Sequence, residues 1–247
     1  MLGYFKNFSN RAELAVGRLF FRQTQLQVHR IGQTHMIVDH RGADAGSIRG
    51  CVSSSMYTDL LGRVSLPARL SVLDVGANVG GFPLMLHALG HEFSTLTCVE
   101  LNPKTYVRLH FNILSNWPRA TVLNRAVTSE PGEITVSLGF GDTGDSIRGT
   151  PRSDGASTTV QTVRLDDVAQ EGPIDILKMD IEGAEEDVLL RPGSEKTLAR
   201  TAVLVIEIHP AETAGAIHAA IEAAGLIYVA GSGRGLTGQH IFARAAS

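Results

Sequence analysis

The chain has 247 residues, of which 43% are hydrophobic and 19% are charged, the composition of an ordinary soluble globular protein. Its length suits one α/β domain with additions rather than two domains. A formal net charge of −3 and a pI near 6.3 do not indicate the strongly basic face that nucleic-acid-binding proteins show, so nucleic acid is not an expected partner.

The sequence contains no signal for a membrane or for export. No apolar run reaches the roughly 18 residues that a bilayer-spanning helix needs. The N-terminus has neither the apolar stretch nor the small-residue cleavage site of a signal peptide. The two cysteines, Cys51 and Cys98, are too few for a disulfide framework. We therefore expect a cytoplasmic protein with free thiols and no transmembrane segment.

The sequence patterns over residues 1–66 predict an arm that precedes the main domain. The patterns favour a helix from Ser9 or Asn10 to about Phe21, a hairpin of Leu26–Ile31 and His35–Asp39, a glycine- and serine-rich loop over 41–53, and a helix over Ser55–Val64. The aromatic and basic start of the arm packs on the domain or on a second subunit, or it docks on a membrane surface. If the protein is a homo-oligomer, we expect this arm to form the contact.

The segment Leu70–Phe82 predicts a buried strand, a turn built on Gly76, Gly80 and Gly81, and an apolar helix over Phe82–Ala88. This unit binds nucleotide-like ligands, because glycine lets the backbone approach the ligand and the helix start offers free N–H groups. The spacing is not the G-x-G-x-x-G of dinucleotide sites. Asp74, before the turn, is ill-suited to a pyrophosphate but suits a ligand that carries an ammonium group.

Glu100 lies at the carboxyl end of a second predicted strand, Thr95–Glu100, about two dozen residues beyond the glycine turn. A carboxylate at this position can accept both hydrogen bonds of a ribose diol. Leu101 and Asn102 follow it, and Pro103 begins a helix that is predicted to reach about Leu114. The alternative for Glu100 is a surface charge beside the start of that helix.

The remaining strands complete a sheet. They are predicted over Ala120–Val127, Gly132–Leu138, Ser157–Arg164, Pro173–Asp180, Thr201–His209, Leu226–Ala230 and His240–Ala243, with helices over Ala184–Leu190 and Ala211–Ala224. The result is an α/β fold with a seven-stranded sheet, an antiparallel final strand and helices on both faces. The polar segment from Gly139 to Gly155 contains Arg148 and Arg152, which either bind a polar substrate or are solvated loop charges.

Four strings in this order resemble the FkbM-type family of S-adenosylmethionine-dependent methyltransferases. They are Asp74-Val-Gly-Ala-Asn-Val-Gly80, Asn124-Arg-Ala-Val127, Lys178-Met-Asp-Ile-Glu-Gly-Ala-Glu185 and Glu207-Ile-His-Pro210. The resemblance covers roughly Leu70 to Pro210. It implies a Rossmann-like class I methyltransferase domain over 67–247, with the arm of residues 1–66 covering the site.

The resemblance also implies the cofactor, S-adenosylmethionine, which becomes S-adenosylhomocysteine after transfer, and a set of residues that bind it. These residues are Asp74, Gly76, Asn78, Gly80, Glu100, Leu101, Asn102, Arg125, Ala126 and Asp180.

The implied reaction is transfer of a methyl group to a hydroxyl of a sugar, glycan or natural product. Asp180 and His209 are the candidates for the general base that removes the hydroxyl proton. Glu207 projects to the same side of its strand as His209 and is predicted to orient the imidazole. Glu182 and Glu185 are candidates for lining the pocket, and Arg148 and Arg152 for binding the substrate. The alternative for the two acids, which applies more strongly to Glu185 than to Glu182, is that they stabilise the N-terminus of a helix.

Two alternatives remain. The sequence alone assigns no metal site, but a magnesium ion held by Asp180, Glu182 and His209 would activate a hydroxyl as a Lewis acid. A nicotinamide-dependent oxidoreductase uses the same kind of fold. It is disfavoured by Asp74 ahead of the glycines and by the missing G-x-G-x-x-G.

Overall fold

The computed structural model describes residues 5–20, 26–40, 42, 44–138, 156–232 and 235–245. The described residues up to Leu66 form the arm. Its elements are α1 (Arg11–Phe20), β1 (Leu26–Ile31), β2 (Thr34–Asp39), α2 (Asp44–Val52) and α3 (Met56–Leu61). The predicted helix, hairpin and second helix are present, but the predicted loop over 41–53 is wrong, since most of it is α2. In the part of the chain that the structure describes, no helix combines the length and apolarity needed to span a bilayer.

The elements of the main domain follow the arm in alternation. In chain order they are β3 (Arg69–Val75), α4 (Gly81–Ala88), β4 (Glu92–Glu100), α5 (Pro103–Asn116), β5 (Thr121–Asn124), β6 (Ala126–Val127), β7 (Gly132–Leu138), β8 (Ala156–Val163), α6 (Leu165–Val168), β9 (Ile174–Met179), α7 (Glu185–Leu189), α8 (Glu195–Arg200), β10 (Thr201–Ile208), α9 (Ala214–Ala223), β11 (Leu226–Gly231) and β12 (Gly238–Arg244).

Seven of the described strands form one sheet in the order β11-β12-β10-β9-β3-β4-β5. The strands from β10 to β5 pair in parallel, whereas β12 runs antiparallel to both of its neighbours. The prediction of a seven-stranded sheet with an antiparallel final strand is confirmed. Because β3 lies between β4 and β9, the chain reverses its direction of travel across the sheet there, and open α/β sheets bind ligands at such a point.

Both faces of the sheet are covered. Val72 of β3 packs into a core that α4, α5 and the arm share, while the next residue, Leu73, packs into a second core with α7, α8 and α9. Successive side chains of a strand point to opposite faces, so a strand buried on both faces is apolar at every position. Cys51 and Cys98 are both buried free thiols.

The segment predicted as one strand over Ala120–Val127 is two strands in different sheets. β5 ends at Asn124 on the edge of the main sheet, and β6 pairs with β8 in a second, three-stranded sheet of order β6-β8-β7. Between them Asn124 donates hydrogen bonds to the carbonyl oxygens of Glu100 (2.8 Å) and Leu101 (2.9 Å). This side chain therefore fixes the chain that leaves β4 at the carboxyl end of the sheet.

Asn112 of α5 fastens the arm to the domain. Its side chain accepts a hydrogen bond from Ile37 N (2.6 Å) and donates to Ile37 O (2.9 Å), as a neighbouring strand would. It also donates to Val79 O (2.9 Å) in the glycine turn. Asn116 bonds the N–H and carbonyl of His35 in the same way, so two amides of α5 hold β2, and the buried Asn112 also joins β2 to the turn.

Candidate functional site

A cavity of about 320 Å³ lies at the carboxyl ends of β3, β4, β9 and β10. Its wall includes the glycine turn, the residues that follow β4 and the residues that follow β9. The arm supplies another part of the wall, through Ser47 and Cys51 of α2 and Tyr57 of α3. These residues of the arm therefore border the cavity, and α2, which was not predicted, supplies two of them.

The glycine turn depends on close contact between β3 and β9. Gly76 has a φ of +74°, and a Cβ built on it would lie 1.8 Å from the carbonyl oxygen of Asp180. Gly80 has a φ of +93° and precedes α4. Gly80 does not line the cavity: its α-carbon packs against Met36 and Ile113. The two glycines thus serve different purposes, close strand contact at Gly76 and packing of the arm at Gly80.

Glu100 is buried at the cavity wall and is held by the backbone. One carboxylate oxygen accepts a hydrogen bond from Asn78 N (2.9 Å) and the other from Asn102 N (2.8 Å). Asn78 has a left-handed backbone, with a φ of +49°, which directs its N–H towards this carboxylate. A carboxylate oxygen has two lone pairs and can accept more than one hydrogen bond.

The residues after Glu100 differ in their access to the cavity. Leu101, Asn102 and Arg125 line it, and the Arg125 guanidinium donates to Asn124 O (2.7 Å) at the protein surface. Ala126 is buried in β6 and is not part of the lining. The Asn102 side chain caps α5 by accepting hydrogen bonds from Lys104 N and Thr105 N.

Asp74 lies beneath the cavity and not in its wall, which differs from the expectation that it contacts the ligand directly. It is fully buried, and one carboxylate oxygen is 3.6 Å from Nζ of Lys178. Lys178 Nζ donates to Gly76 O (2.7 Å) and is 3.5 Å from a carboxylate oxygen of Asp180. Sequence reasoning assigned Lys178 no role, yet it joins Asp74, the glycine turn and Asp180.

The charges of this buried group stabilise one another. Burial raises the pKa of Asp74 to about 6, while the Lys178 ammonium opposes the rise. Burial by itself lowers the pKa of Lys178, but the carboxylates of Asp180 and Asp74 raise it well above its ordinary value. Lys178 therefore remains a cation in the wall of the cavity.

An acid–histidine cluster, consisting of Asp180, Glu182, Glu207 and His209, occupies the ends of β9 and β10. The three acids line the cavity, and His209 Nε2 is 3.3 Å from Glu182 and 3.8 Å from Glu207. Glu182 has a φ of +51°, and the turn after β9 thereby brings its carboxylate to the imidazole. The strand-end placement that the sequence predicted for these four residues is observed.

The residue that orients His209 is Glu185 and not Glu207, which corrects the predicted pairing. Oε1 of Glu185 is 3.0 Å from Nδ1 of His209 and also accepts hydrogen bonds from Ile181 N and Gly183 N (both 3.3 Å). Glu185 is fully buried and is also the first residue of α7, so it is the helix N-terminal acid that the sequence indicated as well as the partner of His209. Glu207 instead accepts a hydrogen bond from Gln239 of β12 (3.1 Å). In the sequence, the helix dipole alone accounts for an acid at position 185. The contact between Glu185 and His209 was therefore not predicted.

The environment of the cluster changes two pKa values. The hydrogen bond that His209 donates to Glu185 raises the pKa of His209 to about 9, against the lowering effect of burial. Burial, together with the neighbouring Asp180 charge, raises the pKa of Glu182 to about 7. At neutral pH the imidazole in this arrangement holds a proton on each nitrogen, so it does not accept one from a hydroxyl.

Three members of the cluster have the geometry of metal ligands. One ligand atom from each of Asp180, Glu182 and His209 lies within 4.8 Å of the others, and all three residues are half-buried. This is the ligand set that the sequence left as an alternative. The two other predicted substrate residues, Arg148 and Arg152, lie outside the described residues.

A further charged pair closes the cavity beside α2. Asp44, the first residue of α2, is buried and accepts hydrogen bonds from Nε and Nη2 of Arg108 on α5 (2.5 and 2.9 Å). Its carboxylate also accepts a hydrogen bond from Asp39 N (2.9 Å). The sequence analysis assigned neither residue a role, since Asp44 belonged to the predicted loop and Arg108 was only part of a predicted helix.

Comparisons with known proteins bear on this site. The family model of the methyltransferase FkbM domain matches residues 74–228, which include the glycine turn, Glu100 and the acid–histidine cluster. Among curated proteins no sequence match is found.

The fold is shared with solved methyltransferase structures. Methyltransferase FkbM from Methylobacillus flagellatus KT has a TM-score of 0.55 and 13% identity, over 94% of this chain and 60% of that chain. The chain thus spans 60% of the length of that relative. Magnesium protoporphyrin IX methyltransferase from Synechocystis PCC 6803, solved with bound S-adenosylmethionine, has a TM-score of 0.47 and 12% identity over 81% of this chain and 83% of that chain. Because the family model matches more than half of its length, the chain belongs to the FkbM methyltransferase family.

Proposed function

We propose that this methyltransferase transfers the methyl group of S-adenosylmethionine to a hydroxyl of a sugar, a glycan or another small natural product. One observation carries the proposal: two groups of residues line the same cavity. Glu100 and the glycine turn form one side of it, and the acids of the acid–histidine cluster form another. The first side suits a nucleoside and the second suits an acceptor that must lose a proton. A nucleic-acid acceptor is not proposed, since the chain carries a net charge of −3.

The cofactor is proposed to lie along the carboxyl ends of β3 and β4. Its ribose hydroxyls donate to Glu100, and its adenine lies near Leu101, Asn102 and Arg125. Its ammonium group lies near Gly76 and Asp180, because Asp180 is the carboxylate of this region that lines the cavity. Asp74 acts on the cofactor indirectly, through Lys178 and the glycine turn.

The reaction requires alignment and the loss of one proton. The hydroxyl oxygen attacks the methyl carbon in line as the carbon–sulfur bond breaks, and S-adenosylhomocysteine leaves with the electron pair on sulfur. Much of the rate enhancement then comes from positioning the two reactants about 3 Å apart. Since His209 is already protonated at neutral pH, we assign the proton to a carboxylate, that of Asp180 or Glu207. His209 fixes the position of these acids.

The test of this function is a binding and transfer experiment on the purified full chain. Calorimetry with S-adenosylmethionine should show micromolar binding, and NAD should show none. Transfer of a labelled methyl group to a panel of sugars and natural-product alcohols should then identify the acceptor class. Binding of NAD alone would favour the oxidoreductase alternative, and label recovered only on nitrogen or nucleic acid would overturn the proposed acceptor.

Glu100→Gln should weaken S-adenosylmethionine binding by about 10- to 100-fold. The variant keeps the shape of the side chain but replaces a charge-assisted acceptor of two ribose hydroxyls with a neutral amide, and hydrogen bonds to charged groups contribute about 1.5–3 kcal/mol. Calorimetry measures the dissociation constant. Glu212→Gln, an exposed residue before α9, is the matched control and should bind as the wild type does. Equal affinity of both variants would remove Glu100 from the ribose site.

A further inference from the structure

Asp180, Glu182 and His209 form a compact set of oxygen and nitrogen donors. Their ligand atoms all lie within 4.8 Å of one another. Donors bound to one ion at about 2.0–2.3 Å lie at most about 4.6 Å apart, so an ion needs only small side-chain movements to contact all three. The side chains of Glu182 and His209 are 31% and 29% exposed, which leaves the set open to solvent.

The imidazole is aimed at the two carboxylates by a residue outside the set. Nδ1 of His209 is bound by Oε1 of Glu185, so Nε2 is the nitrogen that faces Glu182. Backbone N–H groups of Ile181 and Gly183 hold the same Glu185 oxygen. A metal-bound histidine usually donates its second N–H to a carboxylate in this manner, which fixes the ring and increases its basicity.

Unpartnered oxygen atoms around the set point to a missing ligand. Oδ1 of Asp180 is buried and has no hydrogen-bond partner among the described residues, while the other oxygen is near Lys178. The neighbouring Gln239 is only 6% exposed and lines the same cavity, and its Oε1 also has no partner among the described residues. Buried polar atoms normally have a partner, so these oxygens indicate that something polar or charged occupies this end of the cavity.

We propose that Asp180, Glu182 and His209 bind a divalent first-row cation, of the manganese type, at the acceptor end of the cavity. Two carboxylates and one imidazole suit Mn²⁺, which accepts both donor types, better than a thiolate-seeking ion. The cation takes the place of the proton on Nε2 of His209, which is released to solvent. With three protein donors, the remaining coordination positions are open to water or to a substrate hydroxyl.

The cation gives the cluster a specific part in the proposed reaction, and this inference rests on that proposed function. A hydroxyl bound to the cation is more acidic, and its proton passes to Glu207, the carboxylate of the cluster that is not a ligand. The oxygen–methyl bond then forms as the sulfur–methyl bond breaks. The charge on the cation also offsets the repulsion among three carboxylates crowded at the ends of two strands.

The experiment titrates the full chain, freed of metal with a chelator, with Mn²⁺ alone and follows the free ion by electron paramagnetic resonance. We expect saturable binding of one ion per chain, and a nitrogen coupling from the imidazole in the pulsed spectrum. Glu182→Gln and His209→Ala should each weaken Mn²⁺ binding by about 100-fold or more, since loss of a ligand exceeds the 10- to 100-fold cost of losing a second-shell partner. His209→Ala should also abolish the nitrogen coupling.

S-adenosylmethionine binding, measured by calorimetry on the same samples, separates this inference from the proposed function. Both variants should retain cofactor affinity, which shows that they are folded, whereas Glu100→Gln should lose cofactor affinity and retain Mn²⁺. Wild-type protein that binds the cofactor but no Mn²⁺, or that binds Mn²⁺ equally in all variants, overturns the cation site and leaves the proposed function standing. Wild-type protein that binds Mn²⁺ but not S-adenosylmethionine overturns the proposed function and leaves the cation site standing.

Discussion

Replacing His209 with alanine is expected to lower kcat by about 100-fold or more while S-adenosylmethionine affinity stays within about twofold. The imidazole is the only basic side chain among those that the structure places in contact with Glu182 and Glu207, so its loss leaves two neighbouring carboxylates to repel each other. Glu207 is one of the two carboxylates assigned to accept the proton, and misplacing such a positioned acid–base group is expected to cost about 10²- to 10⁴-fold in rate. The cofactor side of the cavity, at Glu100 and the glycine turn, is left unchanged.

The measurement is a pair of titrations, initial rate against acceptor concentration and heat against cofactor concentration. His110→Ala is the matched control, since His110 lies on α5 and does not line the cavity. His110→Ala should keep the wild-type kcat and the wild-type affinity for S-adenosylmethionine. Full activity of His209→Ala would exclude His209 from the mechanism, and a large loss of cofactor affinity would place it in the cofactor site instead.

Gly76→Ala is expected to lower the free energy of unfolding by about 2–5 kcal/mol. An L-residue at positive φ costs roughly 1–2 kcal/mol, and forcing an extra carbon into a close-packed position costs a further 1–3 kcal/mol. Here the added Cβ would lie 1.8 Å from Asp180 O, a backbone atom that cannot rotate away. The two strands must separate, which also displaces Gly76 O from the Lys178 ammonium.

Urea unfolding of the ligand-free chain measures this loss. Gly90→Ala is an informative control, because Gly90 has a φ of +95° but no atom within 4 Å of the added Cβ. It should cost only the backbone strain, roughly 1–2 kcal/mol. If both variants lose the same stability, the contact between β3 and β9 is not what requires glycine at position 76.

The fold was largely predictable from the sequence because its strands are apolar on both faces and separated by clear turn signals. α2 was not predictable in this way. Its sequence contains Gly46, Ser47 and Gly50, which argue for a loop when local propensity alone is considered. The helix is stabilised by tertiary packing on α4, where Gly81 allows Ser47 O and the α-carbon of Ile48 to approach closely. Such a contact has no local signature.

The sequence predicted which strand ends carry the site residues. It did not predict which of these residues contact one another. The two-residue period of β10 correctly placed Glu207 and His209 on one side, but it could not show that Glu185, from a different element, reaches the imidazole first. In the same way, Asp74 precedes the glycine turn in the sequence as expected, while its burial beneath Lys178 depends on the neighbouring strand. Pairings between elements arise only when the chain is folded.

The position of β12 has a consequence for how the site is assembled. β12 is the last of the described strands in the chain, yet it lies inside the sheet, between β10 and β11. β11 pairs only with β12 in this sheet, so the two strands must join β10 together as a hairpin. Gln239 and its contact with Glu207 arrive with that hairpin. Because Gln239 lies on this hairpin, the acceptor side of the cavity is complete only when the C-terminal hairpin is paired with β10.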